Sequence, residues 1–300
     1  MAIEYAPGSR ETGSTTHEKP ACPPKPWRRR KRFAACLQTW TNGPASSLAE
    51  VSRWALDSLL AVLLAPACPL CQTLLDRPTH GLVCPTCWDA VPRLTPPLCD
   101  RCGDPLPSWR VISQQCARCP RCRRSHSALD RGRAVGPYQS TLRRLVHLFK
   151  YDRRHTLAAP LGALMRQHGA DLLADADCVV PVPLHPRRQR ARGFNQAAEL
   201  AAHLGPPVVQ ALRRIIATPP QTGLPAARRH GNVRGVFAPA RPRRGWGGRG
   251  GTMRGTRVVL VDDVATTGAT LEACARVLRG CGVREVRALT LARVVRRESP

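Results

Sequence analysis

Lysine is nearly absent from this chain, acidic residues are scarce, aromatic side chains are few, and no apolar run is long enough to span a bilayer. The few aromatics, 4% of residues, mean that a core must be built mainly from Leu, Val and Ala, and the 43% hydrophobic content is enough for one. They also leave few platforms for stacking nucleobases. The shortage of acids leaves 47 basic residues against 20, a formal charge of +27 over 300 residues. Such a field attracts phosphate, whether in nucleic acid, a nucleotide or a sugar diphosphate. A GC-rich genome that favours Arg over Lys produces the same bias, and composition does not separate the two readings. The most apolar stretch, residues 48–65, is interrupted by Glu50, Arg53 and Asp57. Its apolar positions, Val51, Ala55, Leu59, Val62 and Leu63, recur at helical spacing, so residues 47–66 are expected to form an amphipathic helix, with no membrane span. The basic run at 28–32 and Leu64-Ala65-Pro66-Ala67-Cys68 imitate a lipoprotein leader. The three charges, and the partner that Cys68 has in Cys71, argue against that.

Cysteine is abundant and concentrated: nine of the 14 lie between Cys68 and Cys122. Cys68 and Cys71, then Cys84 and Cys87, form C-x2-C-x12-C-x2-C, followed by Cys99 with Cys102 and by the overlapping pairs of Cys116, Cys119 and Cys122. Two thiolate knuckles brought together make a closed tetrahedral site, which is structural zinc. A redox C-x-x-C needs a βαβ context that is absent here, and disulfide scaffolds are short and Cys-dense throughout. The pattern places the protein in a reducing compartment, the cytoplasm. Sequential and interleaved sharing of the metals are both open. Cys178, Cys274 and Cys281 are expected to be buried thiols, not nucleophiles.

The remaining organisation follows from composition shifts. Residues 1–46, rich in Pro, Ser, Thr and Arg, read as a disordered basic extension. Residues 67–126 are the cysteine module and 127–296 a second domain. That domain carries helical patterns over 141–150 and 157–173, and then strands over 178–182, 207–209, 257–261 and 285–292 alternating with helices over 196–204 and 270–279. Such alternation predicts an α/β fold with a parallel sheet flanked by helices. Residues 213–236 show little pattern, and 240–256 form a flexible Gly/Arg insertion.

One segment carries a ligand signature. Val258-Val259-Leu260-Val261 makes a buried strand, and Asp262 and Asp263 stand at its C-terminal end, where open α/β sheets bind ligands. Ala265, Thr266, Thr267, Gly268, Ala269 and Thr270 then turn into a helix. The backbone N–H groups and helix N-terminus there suit a phosphate dianion, and the threonines add hydroxyl donors. Gly268 lets the backbone approach a ligand. The acids face away from the phosphate and suit ribose hydroxyls, with Mg2+ nearby. A second segment, Val180 to Arg188, ends the first of these strands in a guanidinium-rich loop, and Arg187 and Arg188 suit pyrophosphate. His185 is the one candidate general base, although a lone histidine is usually structural.

The run from Val258 to Thr270 resembles the signature of the type I phosphoribosyltransferases, which implies binding of the 5-phosphate and ribose of phosphoribosyl pyrophosphate. Pro181 to Arg188 followed by Arg192-Gly193-Phe194-Asn195-Gln196 looks like the ComF family of competence-associated phosphoribosyltransferase-like proteins. Thr218, Gln221, Leu224, Asn232 and Phe237, and Leu142 to Tyr151 with His147 and Lys150, are similar to further stretches of that family. The cysteine pairs resemble its double zinc ribbon, and the spacing to Asp130 then favours Cys119 with Cys122 over Cys116. The resemblance implies a phosphoribosyltransferase (a glycosyltransferase moving a pentosyl group) with Mg2+ carried by phosphoribosyl pyrophosphate. It further implies a link to DNA uptake or processing. The alternative it leaves is a non-catalytic competence factor that binds phosphoribosyl pyrophosphate and single-stranded DNA beside competence or DNA-processing proteins.

Overall fold

The computed structural model describes residues 48–106, 117–151, 154–216, 235–241 and 252–295. The expected extension 1–46, Cys116, Thr218, Gln221, Leu224, Asn232 and most of the Gly/Arg insertion lie outside the described residues. Two units divide the chain, Met1–Val51 and Ser52–Pro300, and the second contains both cysteine ribbons and the sheet.

Helix α1 is Leu48–Leu64, as its spacing predicts. Ala55, Leu59, Val62 and Leu63 are nevertheless exposed, Val62 at 82% and Leu63 at 69%, while Asp57 is buried at 3%. Asp57 Oδ1 accepts from the Thr79 N–H at 2.8 Å, and that bond fixes the helix to the first ribbon. No helix among the described residues is long and apolar enough to cross a membrane.

The two ribbons share one local plan. In each, a tight turn carries the first cysteine pair, closed by the bridges Ala67–Leu74 and Leu98–Pro105. The second pair of each ribbon opens a five-residue helix, α2 (Pro85–Asp89) or α3 (Pro120–Arg124), with Cys84 or Cys119 at the N-cap and proline at the first helical position.

The main sheet has strand order β1-β6-β5-β2 and is wholly parallel. Its strands are β1 (Arg131–Pro137), β2 (Cys178–Pro181), β5 (Arg257–Ala265) and β6 (Glu285–Arg293). Along β5 and β6 the side chains alternate between two cores. Val259, Val261, Leu289 and Leu291 face one, while Val258, Leu260, Val286 and Ala288 face the other. The first core is covered by α4 (Ser140–Tyr151), α5 (Ala158–His168) and α8 (Gln196–Ala201). The second is covered by α9 (Ala269–Gly280) and by the antiparallel pair β3 (Leu212–Arg214) and β4 (Phe237–Pro239).

Several expectations change. The single helix over 157–173 breaks at Gly169 into α5 and α6 (Ala170–Leu173). A Cβ on Gly169 would lie 2.6 Å from Leu289, so the break lets the chain turn close against β6. Residues 207–209 provide only an isolated bridge, Val208 to Val179. The guanidinium-rich loop is in fact a helix, α7 (Pro186–Arg192), capped by His185 Nδ1, which accepts from the Arg187 N–H at 3.3 Å. Strand β1 has no counterpart among the expected strands.

The first ribbon has joined the sheet's own core: Leu70, Leu75, Val83 and Val91 cluster with Val135, Leu142 and Phe149. The second forms a small cluster of Cys99, Cys119 and Cys122, with Cys102 and Leu106 packed on it. Both press against edge strand β1 at glycine. A Cβ on Gly136 would lie 1.9 Å from the Pro92 carbonyl oxygen, and one on Gly132 would lie 3.2 Å from that of Arg101. The Leu94 N–H donates to the Val135 carbonyl at 2.9 Å, so the linker between the ribbons satisfies part of the sheet's edge.

Candidate functional site

Strand β5 delivers Asp262 and Asp263 to the C-terminal edge of the sheet, and the chain turns through 265–270 into α9. Gly268 is the N-cap of α9 at φ 79°, a left-handed conformation that favours glycine. A Cβ there would meet nothing within 4 Å, so backbone conformation, not crowding, requires the glycine. Thr267 is buried, and its Oγ1 accepts from the Ala269 N–H at 3.4 Å. That hydroxyl therefore supports the turn itself. Thr270 lines the cavity beside the acids.

This cavity, about 180 Å3, is bounded by Asp262, Asp263, Thr270, Asn195, Lys150 and Arg188, with Arg214 closing it. Arg187 is exposed and lies outside its lining. Asn195 is structural: its Oδ1 caps α8 at the Ala197 N–H, 3.1 Å, and its Nδ2 donates to the Val182 carbonyl at 3.1 Å. Phe194 beside it packs on Phe149, ring centroids 5.6 Å apart. His185 is likewise occupied as the cap of α7, and burial together with the neighbouring arginine charges holds its pKa below the ordinary value.

Two cations in this cavity escaped the sequence-based site assignment. Lys150, at the end of α4, places Nζ 2.8 Å from Asp263 Oδ1, both side chains largely buried. Burial alone would push its ammonium pKa down, but the charges of Asp263 and Asp262 hold it above the ordinary value. It is the only lysine after Lys31 in a chain that otherwise uses arginine, a signal present in the sequence. Arg214, on β3, lies over the Phe237 ring at 5.5 Å from its centroid. Burial and the nearby Arg188 charge pull its pKa down. Burial and the Asp263 charge push Asp262 the opposite way for a carboxyl, up to about 7. Its Oδ1 accepts from the Asp263 N–H at 2.9 Å. Two carboxylates are thus faced by Lys150, Arg188 and Arg214, a distribution suited to a ligand with hydroxyls at one end and concentrated negative charge at the other.

The cysteines form two sets of four, Cys68, Cys71, Cys84 and Cys87, and Cys99, Cys102, Cys119 and Cys122, with the Sγ atoms of each set within 4.8 Å of one another. The knuckles therefore pair sequentially. Cys71 and Cys84 Sγ are 3.5 Å apart, and Cys102 and Cys119 Sγ are 3.7 Å apart. Those spacings are too long for disulfides and close to the edge, about 3.8 Å, of a tetrahedron with metal–sulfur bonds of about 2.3 Å. The thiols fit structural zinc. Cys178 and Cys274 are wholly buried away from both sets, and burial raises both thiol pKa values, that of Cys178 to about 11.

Comparison with known proteins finds relatives of both parts of the chain. The double zinc ribbon domain matches residues 59–123, and the phosphoribosyl transferase domain matches residues 191–300. Competence protein F of Haemophilus influenzae is 30% identical over 239 residues, covering 75% of this chain and 96% of its own length. The DNA utilization protein YhgH of Salmonella typhimurium is 32% identical over 238 residues, 76% of this chain and 97% of its own length. Among solved structures, the glutamine phosphoribosylpyrophosphate amidotransferase from B. subtilis is 26% identical, covering 45% of this chain and 26% of its own, at a TM-score of 0.29.

Proposed function

The chain belongs to the ComF family, with Competence protein F and the DNA utilization protein YhgH as relatives, and from that membership we propose that it binds phosphoribosyl pyrophosphate with Mg2+. The observation that carries the reading is the pair Asp262 and Asp263 on one cavity with Lys150, Arg188, Arg214 and the end of the phosphate loop. The 5-phosphate lies on the backbone of residues 266–270 at the N-terminus of α9, where aligned peptide dipoles favour an anion. The ribose hydroxyls donate to Asp262 and Asp263. The pyrophosphate meets Arg188, Arg214 and Lys150, and Mg2+ arriving with the ligand would supply further positive charge. Those three cations are placed to neutralise pyrophosphate as it leaves ribose C1, the electrostatic contribution that a transferase requires. No described cysteine is in a disulfide, which suits the reducing cytoplasm. Calorimetry with phosphoribosyl pyrophosphate and Mg2+ should show one saturable site, from which ribose 5-phosphate and inorganic pyrophosphate each compete. Absence of binding, or no competition by ribose 5-phosphate, overturns the assignment.

A second reading concerns DNA. Helix α3 exposes Arg121, Arg123 and Arg124, and Arg101 and Arg118 stand on the same ribbon. Clustered guanidinium groups contact phosphates without reading bases, and the relatives' names tie them to competence and DNA utilization. Single-stranded DNA should bind with little sequence preference. Its affinity should fall with salt at a log–log slope of about −0.7 per contacted phosphate. No binding at low salt would mark the basic charge as compositional.

A further inference from the structure

The second ribbon is joined to the phosphate loop at both of the loop's ends. At the entry, Ala265 of β5 lies opposite Arg293 of β6, and the Val294 N–H donates to the Ala265 carbonyl at 2.9 Å. Arg293, 7% exposed in its side chain, pairs with Asp104, two residues beyond Cys102. Cys102 Sγ in turn lies 3.4 Å from Asp104 Oδ2. At the exit, Glu272 is in the first turn of α9, its N–H donating to the Gly268 carbonyl at 2.9 Å. Its carboxylate accepts from Ser127 Oγ at 2.6 Å and from the Ala128 N–H at 3.0 Å. Ser127 and Ala128 are in the segment that leaves α3, and Arg101 anchors that segment by donating to the Ser125 carbonyl at 2.9 Å. Between the two attachments is a cavity of about 250 Å3 whose walls include Thr267, Gly268 and Ala269 on the loop side and Arg101, Arg121 and Cys122 on the ribbon side. The first ribbon contributes nothing to this cavity's lining; its apolar residues join the core on the other face of the sheet.

We infer that the metal-held second ribbon is a clamp that keeps the phosphate loop in its binding conformation, acting through Asp104 on Arg293 and through Ser127 on Glu272. Glu272, Ser127, Asp104 and Arg293 are positioning residues in this arrangement. They act on the loop's two ends, and the phosphate is met by the backbone between them. Metal occupancy of the second ribbon and affinity for the sugar phosphate are then coupled.

The inference rests on the phosphate-loop reading, so its test has one arm that needs no ligand. Full-length Ser127→Ala, Glu272→Ala and Asp104→Asn proteins, checked for retention of both zinc ions, are compared with the unaltered chain by hydrogen–deuterium exchange at residues 266–270. Exchange there should rise in each variant. Ribose 5-phosphate affinity should fall roughly tenfold, the scale of one lost charge-assisted hydrogen bond. Affinity for inorganic pyrophosphate, which meets the cations of the other cavity, should be unchanged. Glu272→Gln, which keeps one acceptor, should recover part of the loss. Asp57→Asn, on the first ribbon's side, should lower the melting temperature without raising loop exchange. Unchanged exchange at 266–270 in zinc-replete Glu272→Ala overturns the clamp, as does equal loss of both ligands. If the unaltered chain fails to bind ribose 5-phosphate, the functional reading fails, and the exchange arm still judges the clamp.

Discussion

Replacing Asp262 with asparagine is expected to raise the melting temperature at neutral pH while weakening phosphoribosyl pyrophosphate binding by at least an order of magnitude. The stability effect follows from the direction in which the site moves this carboxyl. Burial and the Asp263 charge lift Asp262 from 3.8 to about 7. The folded chain therefore holds that proton more tightly than the unfolded chain does. As pH rises from about 4, the unfolded state releases the proton first, so stability falls until the folded carboxyl has also ionised near 7. A tenfold difference in proton affinity is worth about 1.4 kcal/mol, so the penalty above pH 7 is on the order of a few kcal/mol. Asparagine removes it. The melting-temperature gap between the variant and the unaltered chain should open between pH 4 and 7 and then stay constant. Asp263→Asn should behave in the opposite way, because it strips a largely buried ammonium, Lys150, of its closest partner. Thermal melts across pH with calorimetry on the same samples check both signs. A destabilised Asp262→Asn protein with unchanged affinity would remove Asp262 from the site.

The second large effect concerns zinc. Purified protein should carry two equivalents, and Cys99→Ser should release one of them and unravel the second ribbon. Apart from its thiols, that ribbon's cluster has only Leu106. Zinc binding by small ribbons supplies apparent energies of about 10–16 kcal/mol in isolated peptides, far more than one leucine can replace. Cys68→Ser should release the other ion with less damage, because Leu70, Leu75, Val83 and Val91 remain packed on the main core. Metal analysis, thiol titration and limited proteolysis separate the two cases. Absence of zinc with intramolecular disulfides would overturn both the metal assignment and the reducing compartment.

Much of the architecture was legible in the residues, and the exceptions have physical causes. Strand β5 could be read because four apolar residues run into paired acids, a pattern that few other contexts produce. Cys68, Cys71, Cys84 and Cys87 could be read as ligands from spacing alone, whereas choosing Cys119 with Cys122 over Cys116 needed the family resemblance. The sequential pairing of the knuckles could not be read, since it depends on how two small turns pack. Strand β1 was hidden by its own composition: Arg131-Gly132-Arg133-Ala134-Val135-Gly136-Pro137 has two glycines and a proline, which argue against a strand. Those glycines are there because ribbon backbone occupies the space of a side chain. The density of arginine over residues 186–192 hides helix α7, although Pro186 at its first position after a capping His185 is a start signal. Lys150 and Arg214 could not be placed, because only the sheet's crossovers bring α4 and β3 to the end of β5.

The order of the sheet also governs how the chain can be made. Strand β1 finds its partner in β6, so the Val286 N–H donates to Asp130 across a sequence separation of 156. The ribbons leave the ribosome before the sheet and can take up metal at once, whereas the surface on which they rest is completed only when β6 has been synthesised. Throughout that interval the apolar side of the first ribbon and the edge of β1 lack their native cover, and so long a separation makes closure slow. Premature termination before residue 285 removes β6, and with it the ladder that β1 makes and one of the two ladders of β5, which keeps only its pairing with β2. Such a truncated product would retain loaded ribbons attached to an open sheet, a natural target for chaperones and proteases.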